Sequence, residues 1–246
     1  MRPLIAGNWK MHGTGASLAE VAAVAQWRAG KALPADVLIC PPFTLISRAA
    51  EIAAGAFAIG GQDCHALISG AFTGEVSAEM LRDAGASAVI LGHSERRRYN
   101  AETDAMVAAK ARAAWRAGLM AIVCVGETEE EHDAGRAEQV VSAQLEGSLP
   151  LDARSSTTAI AYEPVWAIGS GRTPAQTEIA RMHQLIRAGL ESRLGEYGSR
   201  VRILYGGSVK SGNAQPILGL LNVNGALVGG ASLKAEEFLE IVRSAN

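Results

Sequence analysis

Glu163 stands in Tyr162-Glu163-Pro164-Val165-Trp166-Ala167-Ile168-Gly169-Ser170-Gly171-Arg172-Thr173-Pro174, directly after the apolar, β-branched run from Thr157 to Tyr162. Pro164 and Pro174 fix the backbone at either end and the glycines free the tip, so the segment reads as an apolar flap on short hinges. Closing over Glu163, such a flap would exclude water and strengthen the carboxylate as a base. Taken alone, the same segment is more commonly a surface loop whose Trp166 packs on its own scaffold. The other residues must decide between the two.

Several candidates end apolar runs elsewhere. His93, in Gly92-His93-Ser94-Glu95-Arg96-Arg97-Arg98, precedes a helical turn. The positive end of a helix favours an uncharged imidazole, which can donate its proton to a carbonyl oxygen. A lone histidine is more often structural, and Arg97 and Arg98 read as a solvated charged turn. Lys10 and Asn8 are two residues apart in Gly7-Asn8-Trp9-Lys10, so on an extended backbone they share a face, with Trp9 opposite. A lone lysine usually ends a strand in water; here Glu95 could balance its charge. Two glycine turns, Tyr205-Gly206-Gly207-Ser208-Val209 and Val228-Gly229-Gly230-Ala231-Ser232, expose backbone N–H groups. Ser232 could begin a short helix aimed at the same place. Together they suggest an anion cradle, although glycine pairs also serve plain tight turns. Asp63, Cys64 and His65 are adjacent, and neighbours on a strand face opposite ways, so packing is preferred to a metal site.

Positioning these groups requires a scaffold that gathers strand ends. Strands are predicted at Leu4–Asn8, Val37–Cys40, Phe57–Asp63, Ala88–Gly92, Ala121–Gly126, Thr157–Tyr162, Val201–Tyr205 and Ala226–Gly229. Most lack alternation, as befits parallel strands covered on both faces. A helix is predicted after each. Ser17 to Glu20 supplies a capping box for the first, whose buried face would hold Leu18, Val21, Ala22 and Ala25. Later helices are predicted from Thr44 to Ala54, Ser77 to Ala84 and Glu102 to Ala117, and after Thr128, Thr173, Ser211 and Ser232. In the fifth unit the acids after Gly126, Glu127 included, mostly serve the helix start. The repeat of roughly 30 residues matches one βαβ step, and the whole predicts an α/β fold, a single (β/α)8 barrel spanning residues 1–246. An open doubly wound sheet competes, but no GxGxxG follows the first strand. In a barrel the functional groups lie just after strand ends, where these candidates fall.

Composition narrows the class further. Hydrophobic residues at 48% and charged residues at 20% allow a large core, and a net charge of −2 gives no basis for nucleic acid or an anionic membrane as partner. Cys40, Cys64 and Cys124 have no zinc-like spacing, and Cys40 and Cys124 sit inside apolar runs. Asn8 and Lys10 interrupt the opening apolar stretch, so no secretory leader is read and a cytoplasmic location is expected. The segment after the third strand, Gly61 to Glu75, is long, poor in helix and apolar at Phe72, which suits docking on a partner.

The motifs Asn8-Trp9-Lys10, Gly92 to Arg97, Ala161 to Gly169, Tyr205 to Lys210 and Leu227 to Leu233 together resemble the triosephosphate isomerase family, over Ala6 to Leu233. The resemblance implies the TIM barrel and interconversion of dihydroxyacetone phosphate and glyceraldehyde 3-phosphate without cofactor or metal. It implies Glu163 as base, His93 as proton carrier between the two substrate oxygens, and Lys10 and Asn8 as stabilisers of negative charge, with Glu95 beside them. The N–H groups of Gly169, Ser208, Gly229 and Gly230 would hold the phosphate. It also implies a homodimer joined through the loop after strand three, where Thr73 and Glu75 match Gly-Ala-Phe-Thr-Gly-Glu. Departures from the family pattern are Asp63, His12, Ser170, Arg172, Pro174, Asn222 and Asn224, none among the chemical groups. A Schiff-base phosphosugar lyase is disfavoured because strand six ends in Glu163 and not lysine; a catalytically silent phosphometabolite-binding barrel is the remaining alternative.

Overall fold

The computed structural model describes residues 1–29, 34–168 and 172–245. Among them eight strands form a closed barrel in sequence order. The strands are β1 (Leu4–Asn8), β2 (Asp36–Cys40), β3 (Ala58–Gly61), β4 (Ala88–Leu91), β5 (Met120–Val125), β6 (Thr158–Tyr162), β7 (Arg202–Tyr205) and β8 (Gly225–Val228). Each pairs in parallel with the next, and β8 returns to β1 with Leu4 opposite Gly225, so no edge is left unpaired. All eight predicted strands are present, with ends moved by no more than about two residues, as strand ends usually are.

The side chains divide into two cores. Leu4, Ala6, Leu38, Cys40, Ala88, Ile90, Ile122, Cys124, Ala159, Ala161, Leu204 and Leu227 form one buried cluster, all from alternate strand positions. Their neighbours Ile5, Ile39, Val89, Val123, Ile160 and Ile203 join the larger cluster beneath the helices. The first cluster therefore fills the barrel and the second seals its outside. The same period of two carries the inward face past the last apolar layer. After Ala6 comes Asn8, after Gly60 comes Gln62, after Ala161 comes Glu163, and after Leu227 comes Gly229. The polar groups at the mouth are the next layer of the barrel interior.

Helices cover the outside: α1 (Leu18–Arg28), α2 (Ile46–Ala53), α3 (Ala78–Asp83), α4 (Ser94–Tyr99), α5 (Asp104–Arg116), α6 (Glu129–Asp133), α7 (Ala137–Ser148), α8 (Gln176–Leu194), α9 (Ser211–Leu218) and α10 (Ala235–Arg243). Several starts differ from the sequence reading. Ser17 is already helical; its hydroxyl accepts from the Thr14 N–H and closes a short 3-10 turn ahead of α1. On α1 it is Val24 that is buried, while Ala22 is exposed. The fourth unit holds two helices, because α4 forms from the charged run after His93, and Thr103 caps α5. Thr128 does cap as expected, with Glu131 answering from the third position, but α6 is short and a separate α7 follows. Thr173 does not open α8: Glu178 accepts the Ala175 N–H at 2.7 Å, and that carboxylate fixes the start two residues later. No helix among the described residues is long and apolar enough to cross a membrane.

Candidate active site at the barrel mouth

Glu163 follows β6 with only 2% of its surface exposed. Its backbone is tied on both sides, its N–H donating to Val125 O at 2.8 Å and Gly206 N–H donating to the preceding Tyr162 O at 2.7 Å. Two glycines make this fit possible. A Cβ on Gly126 would lie 1.7 Å from the Glu163 carbonyl oxygen, and one on Gly206 would lie 2.9 Å from its Cγ. The carboxylate Oε1 is 2.8 Å from His93 Nε2, and Oε2 accepts the Ser94 N–H at 2.9 Å.

His93 is the N-cap of α4, and its Nδ1 accepts the Glu95 N–H at 3.2 Å. A lone pair is thus required at Nδ1, which places the ring proton on Nε2, facing Glu163. The helix start therefore sets the tautomer, and the lone pair it needs belongs to the uncharged ring. Burial disfavours the charged ring; the Glu163 carboxylate, by charge and hydrogen bond, outweighs it and raises the pKa of His93. For Glu163, burial alone would raise the pKa; the charge and hydrogen bond of His93, the Ser94 N–H and the charge on Lys10 outweigh it and lower it. The carboxylate is thereby kept ionised, the form a base needs.

Lys10 reaches the mouth by a route other than strand alternation. Its φ is +53°, a left-handed conformation that turns the chain just past β1. Asn8 Oδ1 accepts the Lys10 N–H at 3.0 Å, and Gln62 Nε2 donates to both Lys10 O and Cys40 O at 2.9 Å. Lys10 Nζ then meets Glu95 Oε1 at 2.5 Å. A Cβ placed on Gly229 would lie 3.7 Å from Lys10 Cε, so the ammonium stem runs beside the β8 turn. There a 3-10 turn, Gly230–Ser232, has the Ser232 N–H and hydroxyl both donating to Gly229 O, at 2.8 and 2.7 Å. Ser232 ends this turn and does not begin it. Trp9 is buried and its Nε1 pins Ser232 O at 3.0 Å, joining the β1 and β8 ends.

Asn8, Lys10, His93, Glu163 and the turns at Ser208 and Gly229–Gly230 line one cavity of about 550 Å³, with Ile168 at its rim. Glu95 is absent from the lining and acts on Lys10 from outside it. Gly169, Ser170 and Gly171 lie outside the described residues. Of the flap, Val165–Ala167 form a 3-10 turn, Trp166 Nε1 donates to Glu127 Oε1 at 2.8 Å, and Arg172 pairs with Glu129 at 2.6 Å. Glu127 is thus not a helix-start acid. It is buried and also accepts from Tyr162 OH at 3.1 Å.

One further reading changes. Arg97 is no solvated charge: it donates to Gly92 O and Cys124 O and pairs with Asp104 and Ser148. Arg98 remains exposed, as expected. Asp63 is buried and engages Lys110 and Arg96. The cysteines behave as core thiols: burial pushes the pKa of Cys64 up to about 12 and that of Cys124 well above its ordinary value. Gln62 and the Ser94 N–H are site groups that the sequence reading missed. The period-two continuation of β3 would have found the first; the second is main chain and carries no residue-type signal.

A parallel barrel with a buried carboxylate, an imidazole, an ammonium group and glycine turns at one mouth suits an enzyme that moves protons beside a carbonyl. Comparison with known proteins makes this specific. The family model described as triosephosphate isomerase matches residues 3–245. The triosephosphate isomerase of Afipia carboxidovorans is 59% identical over 99% of this chain and 98% of its own, and that of Xanthobacter flavus 58% over 99% and 97%. The crystal structure of the triosephosphate isomerase of Bartonella henselae superposes with a TM-score of 0.93 at 50% identity, covering 99% of each chain. The chain belongs to the triosephosphate isomerase family. It is an enzyme that interconverts dihydroxyacetone phosphate and D-glyceraldehyde 3-phosphate, a glycolytic reaction, and this sets aside the lyase and the silent-binder readings.

Proposed function

We propose that Glu163, His93, Lys10 and Asn8 carry the isomerisation. The observation that supports this best is the 2.8 Å contact of Glu163 Oε1 with His93 Nε2 inside the cavity that Lys10 and Asn8 also line. Glu163 removes the proton from the carbon beside the carbonyl, and the electron pair moves onto the carbonyl oxygen. Nε2–H of His93 protonates that oxygen and takes the proton of the neighbouring hydroxyl. Glu163 then returns its proton to the other carbon, so the atoms balance without any other reactant. Lys10 and Asn8 offset the charge that develops on the oxygens, and Glu95 keeps Lys10 in place. As described, both Glu163 oxygens are engaged, so base action requires it to exchange Ser94 and His93 for substrate.

The phosphate end rests on the N–H groups of Ser208, Gly229 and Gly230, with Gly169 contributed by the flap. Closure of the flap shuts out water and limits phosphate loss from the enediolate. The chain acts as one catalytic domain, in the cytoplasm, as a homodimer through the loop after β3, where Leu67, Ile68 and Phe72 expose apolar surface. Glu163→Gln keeps the shape and removes the base, so kcat is expected to fall about 10³-fold with KM little changed. Near-normal turnover would refute the assignment.

A further inference from the structure

The helix whose first N–H holds Glu163 has no buried side chain of its own. Yet α4 begins at His93, its Ser94 N–H grips Glu163 and its Glu95 grips Lys10. A short helix with no buried face keeps its place only through polar anchors. On one side Arg97 reaches Cys124 O and Ser148. On the other side Arg96 points into a sealed group of charges: its Nη2 is 2.8 Å from Asp63 and its Nε 2.6 Å from Glu102. Lys110 Nζ completes the group, 2.8 and 2.9 Å from the two Asp63 oxygens and 2.5 Å from Glu102. Two carboxylates thus meet two cations, and Asp63, Glu102 and Lys110 are each no more than 6% exposed.

Within this group Asp63 has a particular place. Glu102 lies on the connection between α4 and α5, so its bond to Arg96 joins neighbours in the chain. Asp63 stands two residues past the end of β3, and between them Gln62 holds the backbone of Lys10. Asp63 therefore ties α4 to the barrel strand whose end also sets Lys10. We propose that Asp63 is a positioning residue for the isomerisation: by holding Arg96 it fixes α4, and through α4 the Ser94 N–H, His93 and Glu95. It touches no substrate.

This rests on the roles given above to Glu163, His93 and Lys10, and Glu163→Gln measured alongside separates failure of those roles from failure of the present one. The test is steady-state kinetics of Asp63→Ala, with folding followed by circular dichroism and association by sedimentation. A misplaced α4 would cost kcat about tenfold. KM for glyceraldehyde 3-phosphate should stay within about twofold, because the phosphate turns stand on β7 and β8. The ¹⁵N resonance of His93 Nδ1 should shift as its bond to the Glu95 N–H loosens. Asp63→Asn, which keeps an acceptor toward Arg96 and Lys110, should recover most of the loss. A folded Asp63→Ala with unchanged kcat and His93 resonance overturns the proposal, as does activity lost only in proportion to unfolded or dissociated protein. Should Asp63→Ala fail to fold, Arg96→Lys decides by the same criteria, since lysine cannot span Asp63 and Glu102 as the guanidinium does.

Discussion

His183 of α8 is fully buried, its Nδ1 donating to Asn222 O at 3.1 Å and its ring facing Tyr162 and Tyr205. Nε2 has no partner among the described residues. Burial disfavours the charged ring and brings its pKa down to about 4. In the unfolded chain a histidine titrates near ~6.5, so below that pH the unfolded state binds a proton that the native state refuses. Stability is full above the unfolded pKa and falls as pH drops toward 4. The loss amounts to roughly 3 kcal/mol at most. Denaturant titrations from pH 7 downward should show it, and His183→Gln should flatten the slope; an equal slope in both proteins would refute the linkage. Gln62 offers a second test. Its side chain donates to both Lys10 O and Cys40 O, and it supports a residue at φ +53°. Gln62→Met keeps the volume and strands Lys10 O, while Cys40 O still accepts the Trp9 N–H at 3.1 Å, so unfolding should cost about 1–3 kcal/mol less. Turnover should fall as well, because Lys10 loses its register.

The strands were legible because apolar, β-branched runs have few other uses. Helix starts were harder, since they depend on which of several competent caps wins. Thr173 and Pro174 made a plausible opening, but the Glu178 carboxylate already satisfied Ala175. The α4 segment Ser94–Tyr99 has no apolar stripe at all, so periodicity could not reveal it. Arg97 and Glu127 were misread for a related reason: charge in a loop signals solvent unless the topology brings it partners from β5, β6 or α7. Glu163, His93, Lys10 and Asn8 could be picked out because each lies at a strand end or within two residues of one, whereas their supports, Ser94 N–H and Arg96 with Lys110, act across the fold. The flap shows what such supports do at the level of an element. Trp166 is fastened to Glu127 while Arg172 stacks on its ring at 4.9 Å and pairs with Glu129. Trp166→Phe keeps the ring and removes the donor, costing the flap base about 1–2 kcal/mol. The balance of flap positions should shift, seen as a several-fold change in kcat with Glu163 unaltered. Unchanged kcat and KM would mean that the Glu127 bond does not bear on flap motion.

At the scale of the molecule, eight strands close on themselves, so exposed apolar surface lies on loops and helices instead of a sheet edge. Phe72 stacks on His65 at 4.2 Å while remaining partly exposed beside Leu67 and Ile68. For the proposed homodimer, Phe72→Asp should yield a monomer in sedimentation and reduce turnover; an intact dimer would place the interface elsewhere. The glycines flanking the base carry a different consequence. On the β7 side the cavity wall beside Glu163 is bare main chain at Gly206, where an added Cβ would lie 2.9 Å from Glu163 Cγ. Laboratory evolution toward other sugars therefore has no side chain to trim there and no space in which to add one. New substrate scope is better sought at residues such as Ile168, Leu233 and Glu237, whose side chains line the same cavity.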